Sequence, residues 1–285
     1  MGLSIILPAK NEALGLRSLL PTLLRNLTNP EIIVVNDGST DETATVCKEY
    51  DVRVVSHPYP MGNGAAIKTG TRSATGDILI FMDADGQHQP EDIPKLLEKL
   101  EEGFDMVVGA RDGNSQASLG RWFANFGYNR FASLIVGRRI DDLTSGFRVA
   151  KANQFREFLH LLPNGFSYPT TSTMAFFRSG YPVAYVPIQT KKRSGKSHIK
   201  WVRDGLRFLV IVFKIGTLYA PLKIFLPFSM VSFAAGLANY AYTYITGGRF
   251  TNMSAVLFIV AVLIFLMGLL SEQITMLLFQ KTDRR

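Results

Sequence analysis

The 285-residue sequence is poor in the residues that build disulfide or zinc frameworks. It has one cysteine, Cys47, which excludes a disulfide scaffold and any cysteine-based zinc site. Its four histidines, His57, His88, His160 and His198, are scattered and show no metal-ligand spacing of the HExxH kind. Charged residues make up only 19% of the chain against 47% hydrophobic, a balance that excludes intrinsic disorder. There is no internal repeat and no low-complexity tract. Two stretches, 224–248 and 250–271, contain no charged residue at all.

A bilayer core takes about 20 apolar residues per helix, so each stretch is long enough to span it. Only the turn around Arg249 separates them, which predicts a helical hairpin over 223–285 with helices near 224–246 and 253–279. The net charge of +8 is local. Residues 191–223 hold nine Lys or Arg and one acid, Asp204, so this segment accounts for the whole excess. A basic segment beside a membrane span fits anionic headgroups better than nucleic acid. Within it, Ile199, Val202, Leu206, Leu209, Val210 and Phe213 share one helical face, with Lys200, Arg203, Arg207 and Lys214 on an adjacent stripe. That pattern predicts an interfacial amphipathic helix and linker over 199–222. Positive charge flanks the outer ends of the hairpin (Lys214, Lys223, Lys281, Arg284, Arg285), which predicts both termini on the cytoplasmic side. The apolar run 3–7 is shorter than a signal-peptide core and breaks at Pro8, so 1–198 is expected to be a cytosolic domain of an integral, two-pass membrane protein.

In the first 200 residues, strand-length apolar runs (3–7, 32–35, 52–55, 78–82 and 106–108) alternate with segments of helical spacing. The latter comprise the leucines at 16, 19, 20, 23 and 24, then 41–50, 64–74 and 90–100. Runs this apolar predict a parallel sheet covered by helices on both faces, an α/β domain. Ligands of such sheets bind at the carboxyl ends of the strands. Three acidic clusters fall there: Glu12 after the first strand, Asp37 after the second, and Asp83 with Asp85 after the fourth. Two carboxylates two residues apart can share Mg²⁺ or Mn²⁺ with substrate phosphate oxygens, and Gln87 offers a neutral oxygen.

Seven motifs occur in order: Pro8-Ala9-Lys10-Asn11-Glu12, Val35-Asn36-Asp37-Gly38-Ser39, Gly62-Asn63-Gly64-Ala65, Asp83-Ala84-Asp85-Gly86-Gln87-His88, Gly109-Ala110-Arg111, Asp142 to Arg148, and Arg193-Ser194-Gly195-Lys196-Ser197. Together they resemble the family 2 glycosyltransferases, in particular the polyprenyl-phosphate sugar synthases of the dolichol-phosphate mannose or glucose type. The resemblance runs from about residue 3 to 200, and the hairpin fits members with two membrane helices. It implies a GT-A nucleotide-sugar-binding, Rossmann-like catalytic domain and an inverting transfer of a hexose from a nucleotide-diphosphate sugar to a polyprenyl phosphate. It also implies roles: Pro8, Lys10, Glu12, Val35 and Asp37 at the nucleoside; Asp83, Ala84, Asp85 and Gln87 at the donor diphosphate, with Asp83, Asp85 and Gln87 on the metal; Arg111, Lys192, Arg193 and Lys196 at phosphates. Asp142 and Arg148 would line the acceptor side, helped by Arg121 and Asn125, and Asp85, Asp142 and Arg111 would carry catalysis. The sequence departs from the pattern at Asn36, where relatives have Asp, at Lys10, where an aromatic is common, and at His198, where Lys is usual. A phosphate monoester is largely dianionic at neutral pH, so positioning and charge stabilisation should outweigh general-base chemistry. Transfer to another membrane-associated glycan or lipid and a non-catalytic membrane adaptor stand as alternatives. Small residues at 234–236 and Gly268 leave room for helix packing and a homo-oligomer.

Overall fold

The computed structural model describes residues 2–111, 119–165, 167–190, 213–214 and 216–280, without the side chains of 119–126 and 280. It separates into two units, residues 1–133 with 138–198, and residues 134–137 with 199–285. The first is built on one seven-stranded sheet. Its strands are β1 (Leu3–Ala9), β2 (Glu31–Asn36), β3 (Arg53–Ser56), β4 (Ile78–Phe81), β5 (Met106–Arg111), β6 (Arg148–Lys151) and β7 (Val183–Ile188). Their order across the sheet is β3-β2-β1-β4-β6-β5-β7. The five expected strands are present and β1 to β4 are parallel. The sheet is mixed, however: β6 runs antiparallel between β4 and β5, while β5 and β7 pair in parallel.

Alternation along each strand divides the side chains between two layers. Ile5, Leu7, Ile32, Val34, Ile80 and Val107 point to one core, together with Leu16, Leu19, Leu20 and Leu23 of α1 (Ala13–Asn26). Val46 and Cys47 of α2 (Thr43–Glu49) join them, as do Ile93, Leu96 and Leu100 of α4 (Ile93–Glu101). Each such leucine or isoleucine contributes about 1.5–3 kcal/mol by leaving water. Cys47 lies fully buried in this layer, and burial pushes its thiol up to about 11, so it is an inert core residue. On the opposite face α3 (Asn63–Ser73) presses onto Ile6 and Val35. A Cβ at Gly70 would stand 3.2 Å from Val35 Cγ2 and closer still to Ile6, so only glycine permits this approach. An aromatic cluster completes that layer. Phe81 stacks on Phe155 of α6 (Ala152–Glu157) at 4.4 Å between ring centres, and Phe158 meets Phe176 of α7 (Tyr168–Arg178) at 5.3 Å. The helix α5 (Leu119–Val136) carries the positions of Arg121 and Asn125, whose side chains lie outside the described residues.

The second unit holds a hairpin of α8 (Pro221–Gly247) and α9 (Asn252–Gln280), close to the expected spans. At 1.5 Å per residue the 27 residues of α8 extend about 40 Å, enough to cross a bilayer. Gly248, at φ +62°, ends α8 in a left-handed turn. Close helix contact is set by small residues: a Cβ at Gly236 would come within 3.1 Å of Phe258, and one at Gly268 within 2.7 Å of Phe225. These glycines, expected to leave room for helix packing, are engaged inside the hairpin. Ser229 donates to the Ala261 carbonyl at 2.8 Å, and Ser254 donates to Asn239 Oδ1 at 2.8 Å, so the buried hydroxyls are satisfied. Glu272 stands 3.4 Å from the Leu222 amide in the first turn of α8, where an anion is favoured. The amphipathic segment expected at 199–222 falls largely outside the described residues.

Candidate active site

The carboxyl ends of β1, β2 and β4 open on one cleft of about 600 Å³. It is lined by Pro8 at the end of β1 with Lys10 and Glu12 after it, by Asp37 after β2, and by Pro60 to Asn63 leading into α3. Asp83, Ala84 and Asp85 after β4 complete it. The volume lies within the range of small-molecule sites. A smaller recess of about 80 Å³ shares Asn63 and Asp83 with it and is otherwise lined by Thr144, Gly146, Ser167, Tyr168, Pro169 and Thr170. The structure therefore brings together the candidates Pro8, Lys10, Glu12, Asp37, Asp83, Ala84 and Asp85. Val35 is fully buried in the sheet beneath them.

Asp37 is bound from three directions. His57 Nδ1 lies 2.8 Å from Oδ1, the Met61 amide donates to Oδ1 at 2.7 Å, and the Gly62 amide donates to Oδ2 at 2.9 Å. Burial alone would raise its pKa, but these donors outweigh it and hold the carboxyl below the usual range. The glycine motif at 62–64 is accounted for by the same contacts. Two further amides meet carbonyls, Gly64 to Gly165 at 3.1 Å and Ala65 to Asn164 at 2.8 Å, so protein groups satisfy these two at the α3 N-terminus. A Cβ at Gly64 would collide with the Pro163 carbonyl, which explains the glycine. Asn36, the departure from the family pattern, accepts from the Ser39 amide at 3.0 Å and shapes the turn.

The Asp142 carboxylate is more fully engaged still. Arg111 donates Nε at 2.8 Å and Nη2 at 3.0 Å, a bidentate pair, and the amides of Thr144 and Ser145 add bonds at 3.0 and 3.1 Å. Burial opposes ionisation of Asp142, but Arg111 more than compensates and the pKa is lowered; Arg111 is correspondingly raised. Thr144 Oγ1 accepts a further Nη2 bond at 2.6 Å. The Nη1 edge of Arg111 has no partner among the described residues.

Arg148, expected to line the acceptor side, is wholly enclosed. It donates to the Pro169 carbonyl at 2.9 Å, to Ser172 and Thr173, and to the Ser145 carbonyl, and its guanidinium lies 5.7 Å from the Tyr168 ring centre. Among the described residues it has no carboxylate within ion-pair distance, and burial lowers its pKa. Its place is beneath the 142–146 turn, as a support for the wall of the recess rather than its surface.

Asp83 and Asp85 differ from these. Asp83 is about a third exposed and, among the described residues, makes one long contact, 3.5 Å from Nε2 of the buried His88. Asp85 accepts the Gln87 amide at 3.1 Å. A Cβ at Gly146 would stand 2.7 Å from Asp83 Oδ2, so that glycine keeps the space beside the carboxylate open. Among the described residues no three His, Cys, Asp or Glu gather into a metal cage. Two carboxylates with an open side suit a hard cation that draws its other oxygens from a substrate, the habit of Mg²⁺ and Mn²⁺. The donor set fits. Lys192, Arg193 and Lys196 lie outside the described residues.

Sequence reasoning missed His57, His88 and Asn63. An isolated histidine carries no spacing signal, and only the fold brings His57 to Asp37.

With this geometry in place, comparison with known proteins is decisive for the family. Residues 4–160 match the family described as Glycosyl transferase family 2, and residues 220–277 match the GtrB C-terminal hairpin. The chain belongs to the family 2 glycosyltransferases, and its mixed α/β sheet is of the GT-A type with a C-terminal hairpin of two apolar helices. It is 32% identical over 199 residues to the uncharacterized protein MJ1222 of Methanocaldococcus jannaschii, covering 65% of this chain and 80% of that one. To the dolichol-phosphate mannosyltransferase of Pyrococcus furiosus it is 38% identical over 117 residues, 39% of this chain and 33% of that protein. To the dolichyl-phosphate hexose transferase of Haloferax volcanii it is 27% identical over 203 residues, 69% and 86% respectively. A glucosyl-3-phosphoglycerate synthase from Mycobacterium tuberculosis, solved with Mn²⁺, uridine diphosphate and phosphoglyceric acid, shares the fold. Its TM-score is 0.60 at 23% identity, over 75% of this chain and 77% of that one.

Proposed function

We propose that this protein transfers a hexose from a nucleoside-diphosphate sugar to a polyprenyl phosphate at the cytoplasmic membrane face, with inversion at the anomeric carbon. The observation that carries the reading is the pair Asp83 and Asp85, left facing a nucleotide-sized cleft in a chain that also bears a hairpin long enough to span a bilayer. Relatives named for transfer to dolichyl and undecaprenyl phosphates support the acceptor class.

Asp83 and Asp85, with Gln87 near, would hold a divalent cation. When bound, such an ion neutralises a diphosphate and stabilises it as a leaving group. The chain's own residues do the rest. Pro8, Lys10, Glu12 and Asp37 bind the nucleoside end of the donor. Arg111, anchored by Asp142, presents its Nη1 edge to phosphate oxygens in a fixed orientation. Asp142 has both oxygens committed and a lowered pKa, which supports a positioning role and argues against a general base. A dianionic lipid phosphate needs no base to attack. The basic segment 191–223 and the hairpin hold the catalytic domain where such a phosphate lies, with both termini cytoplasmic.

The test is transfer of radiolabelled sugar from GDP-mannose, UDP-glucose or UDP-N-acetylglucosamine to a short polyprenyl phosphate with Mn²⁺ or Mg²⁺, using purified full-length protein. Label entering the organic phase from one donor, and lost in Asp85→Ala, is the expected result. Metal-dependent nucleotide binding without transfer would overturn the lipid-phosphate acceptor and point to another membrane glycan or lipid.

A further inference from the structure

Residues 57–62 are tied to the end of β2 more firmly than a surface loop requires. The His57 amide donates to the Asn36 carbonyl at 2.9 Å. The His57 ring is buried, with Nδ1 at 2.8 Å from Asp37 and Nε2 at 2.9 Å from Thr69 Oγ1 on α3. With Asp37 ionised, Nδ1 carries the proton between them, and Nε2 pairs with the Thr69 hydroxyl. Gly38, at φ +63°, lets the loop close to backbone contact: a Cβ there would stand 2.7 Å from the Pro60 nitrogen and 2.8 Å from the Tyr59 carbonyl carbon. Both Met61 and Gly62 amides end on Asp37.

The consequence lies on the cleft side. Pro60 and Met61 line the cleft beside Asp37, and Met61 is 39% exposed. Among the described residues, none that lines the cleft is aromatic. A nucleobase still needs a flat apolar surface. A pyrrolidine ring and a thioether provide one, since sulfur packs favourably on aromatic rings. Asp37 spends three of roughly four acceptor sites on the loop, which leaves one for a ring N–H.

We infer that Pro60 and Met61 form the surface on which the donor's base rests, and that His57 is the positioning residue that holds this surface and Asp37 together. The inference rests on the nucleotide-sugar reading proposed above. The base it fits is one with a ring N–H, such as uracil or guanine.

Calorimetric titration of the full-length protein in detergent with Mn²⁺ and either UDP or GDP tests it. His57→Ala should raise the nucleotide Kd about tenfold, since it strips a buried carboxylate of a donor. It should raise the donor KM in parallel and leave kcat nearly unchanged. His57→Asn, whose amide nitrogen reaches the place of Nδ1, should recover most of the loss. Met61→Ala should raise the Kd about threefold at an unchanged melting temperature. Inorganic pyrophosphate with Mn²⁺ has no base and should bind every variant as it binds the parent, an outcome that general loosening would not give. Nucleotide affinity preserved in both alanine variants, or pyrophosphate weakened in step with nucleotide, overturns the inference. If His57→Ala does not fold, Met61→Ala with the pyrophosphate control decides alone. A parent protein that binds neither nucleotide sinks the donor reading and this inference with it; equal binding by parent and variants sinks this inference alone.

Discussion

The carboxylates at one edge of the sheet fall into two groups that differ in who neutralises them. Asp37 and Asp142 are buried, their oxygens taken up by His57, Arg111 and backbone amides, and both are held below the ordinary pKa. Asp83 is more exposed, with a single contact at 3.5 Å among the described residues, and Gly146 keeps the space beside it clear. In the first group the protein itself supplies most of the partners, a loop around Asp37 and an arginine beside Asp142. The second, Asp83 with Asp85 two residues on, lines the cleft, where Gly146 leaves room beside Asp83. Carboxylates that look equivalent along the chain thus divide by the partners that the fold gives them.

The sharpest way to break this division is to neutralise one member of each group. Asp85→Asn should lower sugar transfer about 10²–10³-fold, the several kcal/mol that a cation supplies to a phosphoryl leaving group. Its melting temperature should match the parent, since the side chain faces the cleft. Transfer assays beside thermal unfolding check both halves, and a large fall in stability with modest loss of transfer would reverse the assignment. Asp142→Asn should do the opposite in kind. It leaves Arg111 without its anion and should cost about 2–4 kcal/mol of stability by denaturant unfolding. Activity should fall about tenfold through loss of arginine placement.

A gentler probe touches the second group without removing charge. Gly146→Ala places a methyl 2.7 Å from Asp83 Oδ2 and must turn that carboxylate. Mn²⁺ affinity, read by titration in the presence of nucleotide, should weaken about tenfold, the usual range for disturbing a ligand's surroundings. Unaltered affinity would mean that Asp83 does not hold the ion.

These groups were unequally legible in the sequence. The five apolar runs became β1 to β5 because a strand buried on both faces has little choice of composition. β6 was missed: it is four residues, Arg148–Lys151, that open and close on a charge. A strand that begins with arginine reads as a loop until Ser145, Pro169, Ser172 and Thr173 are seen to receive its guanidinium. That one strand turned an expected parallel sheet into a mixed one. Spacing located the acidic motifs but could not show their partners, because Arg111 with Asp142 and His57 with Asp37 meet across 31 and 20 residues. The distinction between the two groups is therefore a tertiary property. The same holds for the glycines of 62–64, whose motif is visible in the sequence but whose carbonyl contacts across the fold are not.

The smallest effect sharpens the comparison through pH. Folded-state pKa values of Asp37 and Asp142 lie below the ordinary 3.8. Their contribution to stability is therefore fully present above the unfolded value and is lost as pH falls through the lower folded values. Denaturation midpoints should hold steady from neutrality to about pH 5 and then decline on further acidification. The decline should be shallower in Asp142→Asn, which has one fewer depressed carboxyl to protonate. Glu31 and Asp41, also held low by local hydrogen bonds, keep a residual slope in both proteins. Denaturant unfolding of parent and variant across this range, without metal, checks it. A limb as steep in Asp142→Asn as in the parent would mean that Arg111 and the turn amides do not hold the Asp142 carboxyl.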